Sequence, residues 1–223
     1  MPFLKDSCLD KIKLAPMSRT NVETHWAQKY YKNHGFSCTE EDYRQRDIDV
    51  SFVGQSWRGH ELFGTHREQV GSILNSMKET HGTNTVCVLN HRTTVEGKKQ
   101  QPEGIVLNFE DYNDILFRSK IVIGAWGAGE WCQRDAEAVY TGAVLIKPDM
   151  SHMEVFPNFY LKDKTYVSCS PGLLDLEQKI LGVLANWESY YNMRTLAKNM
   201  IDQSWDFSTH IKILEKDIFE RCL

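Results

Sequence analysis

The stretch that most constrains the fold runs from residue 121 to residue 149, IVIGAWGAGEWCQRDAEAVYTGAVLIKPD. An apolar run, Ile121-Val122-Ile123, enters a loop that holds Gly124, Gly127 and Gly129. A helix-forming segment follows from residue 130 to residue 141 and stops at Gly142. A second apolar run, Ala143 to Ile146, then ends in Lys147-Pro148-Asp149. Strand, glycine loop, helix and strand in that order make a right-handed crossover, which sets a helix N-terminus at the carboxyl end of a parallel sheet. Glycines let the backbone come close to a ligand, and free N–H groups with the helix dipole favour an anion. Glu130, Arg134, Glu137, Lys147, Asp149 and His152 follow on the same rim. The stretch reads as a phosphate-and-ribose site.

Elsewhere, strands alternate with helices. Strands are expected at 50–54, 85–89, 105–107 and 165–169, and helices at 65–80, around 112–116, and at 174–187, 190–201 and 208–220. In the helix at 65–80, Val70, Ile73, Leu74 and Met77 fall at helical spacing, and Thr65-His66-Arg67-Glu68 fits a capping box at its start. Thr85 to Leu89 is β-branched and apolar on both faces, as in a parallel strand covered by helices. Residues 91–104 carry Lys98, Lys99, Gln100, Gln101 and Pro102 and read as an exposed loop. The alternation predicts an α/β fold, a doubly wound parallel sheet of Rossmann-like type forming a single lobe. Residues 1–47 form an N-terminal arm or connection, with a short strand at 12–16 and a helix at 21–32. Residues 48–205 form the α/β domain, and 206–223 a C-terminal helix that packs back on it.

Composition excludes several classes. A net charge of −4 and a pI near 6.1 over 223 residues argue against general nucleic-acid binding. No apolar run approaches the length of a membrane span, and Met1-Pro2-Phe3-Leu4-Lys5-Asp6 does not open a signal peptide, so a cytoplasmic location is expected. The six cysteines are scattered without a C-x-x-C pair, and the eight histidines show no H-x-x-x-H pair, so no metal site is expected.

On residues alone, three readings of the central unit stay open. In a dinucleotide fold the loop would hold a pyrophosphate; here the glycines run G-x-x-G-x-G, not G-x-G-x-x-G, and Asp149 follows where a ribose-binding acid would sit. In a purely structural turn, the glycines make a tight bend and Arg134 pairs with Glu137 on a solvated face. In a nucleotide-sugar site, the clustered polar residues and Trp126 and Trp131 line a ligand.

Residues 119–154, SKIVIGAWGAGEWCQRDAEAVYTGAVLIKPDMSHME, resemble the donor-binding C-terminal lobe of GT-B glycosyltransferases, closest to the exostosin-like and capsular-polysaccharide types. The family's helix carries a glutamate, then Ala, then Gly. Glu137-Ala138-Val139-Tyr140-Thr141-Gly142 has that pattern, and Val144-Leu145-Ile146 supplies the next strand. The likeness spans residues 48–205 and includes the opening strand DIDVSFVG. It implies a metal-independent hexosyl- or pentosyltransferase acting from a UDP- or GDP-linked sugar onto a glycan or other hydroxyl acceptor, with no further cofactor. Glu137 would accept the ribose hydroxyls, while Trp126, Gly127, Ala128, Gly129 and Glu130 hold the diphosphate and Arg134 neutralises it. Lys147 is a further phosphate contact; His152, Asp149 and Arg134 are the catalytic candidates, with His152 touching the donor sugar or acting as base. Asp47-Ile48-Asp49 has the D-x-D form of metal-dependent transferases but precedes a strand, where a charged loop is the better reading.

A GT-B enzyme has two lobes, and only residues 1–47 precede this one. A compact single-lobe enzyme, a piece of a longer protein, and a lobe completed by a partner chain or homodimer are all consistent with that. The alternatives to a transferase are a non-catalytic nucleotide-sugar-binding lobe and an NAD(P)-binding oxidoreductase domain.

Overall fold

The computed structural model describes residues 39, 41, 44–57, 61–92, 94–95, 98–99, 103–126, 130, 132–153, 159–204 and 212. The elements expected at 12–16, 21–32 and 208–220 lie outside the described residues, apart from Lys212, which is helical. In chain order the elements are β1 (Ile48–Trp57), α1 (Glu61–His81), β2 (Thr85–Arg92), β3 (Thr94–Val95), β4 (Lys98–Lys99), α2 (Phe109–Arg118) and β5 (Ser119–Ile123). There follow α3 (Gln133–Tyr140), β6 (Val144–Pro148), β7 (Val167–Cys169), α4 (Leu176–Ala185), a 3₁₀ turn (Trp187–Tyr190) and α5 (Tyr191–Ser204). Five strands form one sheet in the order β2-β1-β5-β6-β7, every pair parallel. This is the doubly wound α/β sheet that the alternation predicts.

Successive side chains of a strand point to opposite faces, and here both faces are apolar. Ile121, Ile123, Val144 and Ile146 pack with Val50 and Phe52 against Val70, Leu74 and Met77 of α1 and Leu176, Ile180 and Val183 of α4. The alternate residues Val122 and Leu145 face Leu116 of α2, Ala138 and Val139 of α3, and Ala197 and Ile201 of α5. The sheet is the middle of three layers.

Three expectations are corrected. Residues 105–107 are not a strand: Ile105 and Val106 are 67% and 63% exposed, because the outer edge of β2 is taken by Glu103, which bridges to His91. The loop expected at 91–104 instead contains the end of β2 and the small β3–β4 ribbon. The first helix begins at Glu61, so Thr65 to Glu68 lie inside it and make no capping box. Glu68 accepts a hydrogen bond from Ser56 Oγ at 2.9 Å.

The helix that matters most for the site, α3, ends as its sequence requires. Gly142, at φ +74°, takes the left-handed conformation that closes a helix, with bonds Gly142 N–H to the Val139 carbonyl and Ala143 N–H to the Ala138 carbonyl. Two buried guanidiniums then hold the closed end. Arg46 donates through Nη1 to the Ser119 carbonyl at 2.7 Å and through Nη2 to the Thr141 carbonyl. Arg194 of α5 donates through Nε to the Gly142 carbonyl. Cations at a helix C-terminus oppose its negative dipole end. Arg46 precedes β1, so part of the segment expected as an arm is built into the domain. Hydrogen bonds from a charged group contribute about 1.5–3 kcal/mol each, so Arg46→Ala should lower the urea midpoint by an amount worth about 3 kcal/mol with the slope unchanged.

Candidate functional site at the carboxyl edge of the sheet

The chain leaves β1 through α1 to reach β2, and leaves β5 through α3 to reach β6 on the other side. Because α1 and α3 cover opposite faces, the loops after β1 and β5 diverge and open a crevice at the carboxyl ends of those two neighbouring strands. Helix α1 brings His66 and Arg67 to this edge, the loop after β5 brings Trp126, and α3 brings Arg134 and Glu137.

Arg67 spans the crevice. Its Nε donates to the Trp126 carbonyl at 2.7 Å and its Nη1 to the Gln55 carbonyl, which ties the end of β1 to the loop after β5. Its Nη2 has no hydrogen bond among the described residues. Burial, and then the charge of nearby Arg134, lower its affinity for the proton. Arg134 lies in the first turn of α3 with its Cζ 5.0 Å from the centre of the Phe52 ring, a cation–π contact. Its Nε and Nη1 are buried and have no partner among the described residues. Burial works against its charge, yet Cys132, Tyr112, Asp135 and Glu137 around it outweigh burial and raise its pKa. Two guanidiniums thus feel each other's charge in one crevice, and Arg134 has buried donors unused, a costly state that an anion would relieve.

Glu137, one turn further along α3, accepts from the Tyr112 hydroxyl on Oε2 and from Gln133 Nε2 on Oε1 at 3.1 Å. Burial pushes its carboxyl up, against the opposing effects of the Tyr112 bond and Arg134. A half-buried carboxylate of raised pKa beside a charge partner in a crevice is the signature of a functional group.

Lys147 presents no exposed atom to the crevice. It is fully buried, its Nζ 2.9 Å from Asp135 Oδ2, itself fully buried, and 3.4 Å from the Gly124 carbonyl. The same Asp135 oxygen accepts from the Tyr160 hydroxyl at 2.6 Å and from the Cys132 N–H at 3.3 Å. A charge with no exposed surface stays ionised only when paired in this way, so Lys147 binds Asp135 and is not a free phosphate contact. Gly124 is required beside the pair: a Cβ there would stand 2.6 Å from Asp135 Oδ1.

Asp149 is occupied as well. Its Oδ1 accepts from the Ser151 N–H at 2.9 Å and the Ser151 hydroxyl at 2.5 Å, and its Oδ2 from Lys162 Nζ at 2.6 Å. It shapes the turn that carries His152, and both of its oxygens are engaged in holding that turn. His152, half exposed, places Nε2 3.0 Å from Glu130 Oε1 and so meets the far end of the glycine loop. Gly127, Ala128 and Gly129 lie outside the described residues. Among the described residues, no group of three His, Cys, Asp or Glu side chains is placed to hold a metal ion, and no helix is long and apolar enough to cross a membrane.

The structure therefore brings Trp126, Arg134 and Glu137 together, sets His152 with Glu130 on the loop's outer side, and puts Lys147 and Asp149 into supporting contacts. It adds Arg67, Tyr112, Asp135 and Tyr160. One signal for Arg67 was available: an arginine near a helix N-terminus sits against the dipole, and Arg134 has the same misplaced charge.

No protein-family model matches the chain, and no curated protein matches it. Solved structures similar to it include the C-terminal domain of a glycosyl transferase group 1 family protein (LpcC) from Francisella tularensis, at 12% identity and TM-score 0.49, covering 78% of this chain and 97% of that one. The pneumococcal O-GlcNAc transferase GtfA, in complex with UDP and GlcNAc, is 11% identical with a TM-score of 0.42 over 80% of this chain and 37% of its own. Anabaena Alr3699/HepE, in complex with UDP, is 10% identical with a TM-score of 0.45 over 80% and 52%. The chain thus spans nearly all of the LpcC domain but less than two thirds of the other two chains.

Two outcomes test these supporting contacts. Lys147→Met leaves Asp135 buried without its cation and should cost about 3–5 kcal/mol in a denaturant melt; a near-wild-type midpoint would show that the pair does not hold the unit. Lys162 and Ser151 hold the Asp149 carboxyl well below the usual carboxylate range. A depressed carboxyl stabilises the fold above its unfolded pKa and loses that effect as the pH falls. The stability gap between wild type and Asp149→Asn should therefore be widest above about pH 5 and close as acid is added below about pH 4.

Proposed function

We propose that this domain binds a nucleoside-diphosphate sugar in the crevice between β1 and β5 and serves as the donor lobe of a glycosyltransferase. One observation carries the reading: Arg67 and Arg134, from helices on opposite faces, converge there buried, with unused donors on both. Their charge suits the oxygens of a diphosphate, which a planar guanidinium meets through paired N–H groups. Glu137 takes the ribose hydroxyls, since a carboxylate has acceptor sites left after the Tyr112 and Gln133 bonds. Gly127, Ala128 and Gly129, with Trp126 and Glu130, are the residues whose amides this reading assigns to the diphosphate.

The chemistry of such a site is leaving-group stabilisation. Cleavage of the bond between sugar and diphosphate puts charge on the β-phosphate, and fixed cations and N–H groups lower the energy of that state. The two arginines then do without a metal what a bound cation does in other transferases. His152, held by Glu130, is the candidate to contact the sugar or accept the acceptor's proton, and Asp149 positions it. The hydroxyl of a glycan is the acceptor class. Binding without turnover is the second reading.

Titration of the purified chain with UDP, GDP, dTDP, their sugars and NAD(H), each with and without EDTA, separates the readings. A ligand at one hundred times its dissociation constant raises stability by about 2.7 kcal/mol, a large shift in melting temperature. Selective stabilisation by one nucleotide diphosphate, unaffected by EDTA, is expected, and silence from all of them would overturn the reading. Arg134→Ala should weaken that nucleotide roughly 10- to 100-fold, because a charge-assisted hydrogen bond is worth about 1.5–3 kcal/mol. Release of UDP from a UDP-sugar by the isolated chain would establish turnover.

A further inference from the structure

We infer that His66 is a ligand-binding residue of the same crevice, an imidazole that donates to the bound phosphate and takes up a proton as the anion arrives. The inference rests on the anion site proposed above, and it adds a residue and a proton stoichiometry that neither motif nor family pattern assigns.

His66 is only 7% exposed, and both of its ring nitrogens are buried without a hydrogen-bond partner among the described residues. That is unusual: a structural histidine in a core donates one N–H to a carbonyl or carboxylate and so fixes its tautomer. The Pro171 carbonyl lies beside the ring but does not meet hydrogen-bond geometry. The ring is nonetheless held in place. It stacks on Trp126, with centroids 5.0 Å apart and planes 15° from parallel. The Trp126 indole Nε1 is likewise buried and without a partner. Arg67 follows His66 in α1, and its Nε holds the Trp126 carbonyl. Imidazole, indole and the two guanidiniums thus bring donors to the crevice from both faces, with no acceptor among the described residues for His66, Trp126 Nε1, or Arg134 Nε and Nη1.

The groups facing His66 also set its charge. From its own helix comes Arg67 and from β6 comes Lys147, both cations; the loop after β5 contributes the neutral indole and the turn after β7 the Pro171 carbonyl. Burial first, then these two cations, depress the pKa of the imidazole. Without an anion beside it, the ring favours its neutral form more than a free imidazole does, against a smaller opposing effect of the Pro171 carbonyl. A phosphate in the crevice reverses the balance, because it supplies an acceptor and negative charge beside the ring. The proton affinity of His66 rises on binding, and by linkage the anion binds more tightly as the pH falls toward 6.

The experiment uses the full chain and UDP, with pyrophosphate as a second probe that lacks the nucleoside. Calorimetry at pH 6.5 in two buffers of different ionisation heat counts the protons taken up, for wild type, His66→Gln and His66→Phe. UDP titrates near this pH on its own, so the comparison with the variants isolates the imidazole. Wild type should take up more protons than either variant, for both probes. His66→Phe, which keeps the stack on Trp126 but has no N–H, should weaken UDP roughly tenfold or more. His66→Gln, which keeps a donor, should lose less affinity while losing the extra proton. Equal proton counts and equal affinity in all three proteins, with Arg134→Ala still weakening UDP, would overturn the role of His66 and leave the crevice standing. Wild type that binds neither probe would overturn both.

Discussion

A lysine and an aspartate with no exposed side-chain surface hold the central unit together. Lys147 ends β6 and Asp135 sits in the first turn of α3, so their contact fixes the helix N-terminus against the strand that follows it. Gly124, at the end of β5, is pinned between them: its carbonyl accepts from Lys147, and its missing side chain leaves room for the Asp135 carboxylate. Tyr160 closes the set with its hydroxyl. Burying two charges costs several kcal/mol per ion, and the mutual attraction offsets this only in good geometry with the remaining bonds satisfied. Here the return is positional. Arg134 and Glu137 flank Asp135 in sequence on the same two turns, so whatever fixes Asp135 fixes the direction in which they point.

The crevice has the opposite character. Burial and then the charge of Arg134 lower the proton affinity of Arg67, burial pushes the Glu137 carboxyl up, and several buried donors face no acceptor among the described residues. Each of these is destabilising taken alone, and together they run against the local consistency that a stable fold prefers. Proteins retain such arrangements where function needs them and offset them elsewhere in the fold. The offset is visible: the end of α3 remote from the crevice is closed by the turn at Gly142 and by the guanidiniums of Arg46 and Arg194. The helix is secured at its back and left with unmet groups at its front.

Much of this was legible in the residues, and for a definable reason. The strand–glycine–helix–strand pattern depends on local periodicity, so β5, α3 and β6 appear where the pattern sets them, and the parallel sheet follows from the alternation around them. Arg134 and Glu137 were visible because their chemistry and their place on one helix are both local. Arg67 was not, since its meaning depends on β1 and β5 being neighbours, a pairing of Val50 with Ile121 of which sequence spacing says nothing. Lys147 misleads for a related reason: a lysine at a strand end reads as exposed until Asp135, twelve residues earlier and one layer away, is known to face it. Ile105-Val106-Leu107 has the composition of a strand, but a strand needs an edge, and Glu103 had already taken the one on offer.

The same topology explains why the donors of the crevice come from separate helices. At a point where the sheet's winding changes direction, the helices on either side cannot close over each other, so the gap between them is filled by side chains from both faces. Arg67 and His66 arrive with α1, Arg134 with α3, and the Arg67 side chain bridges the two strand ends through the Gln55 and Trp126 carbonyls. An anion bound to both guanidiniums would be a second bridge, one that joins α1 to α3 through charge and not through packing. Occupancy would then stiffen the junction between the two halves of the sheet beyond what the β1–β5 ladder, the Arg67 bridge and the hydrophobic layers give it.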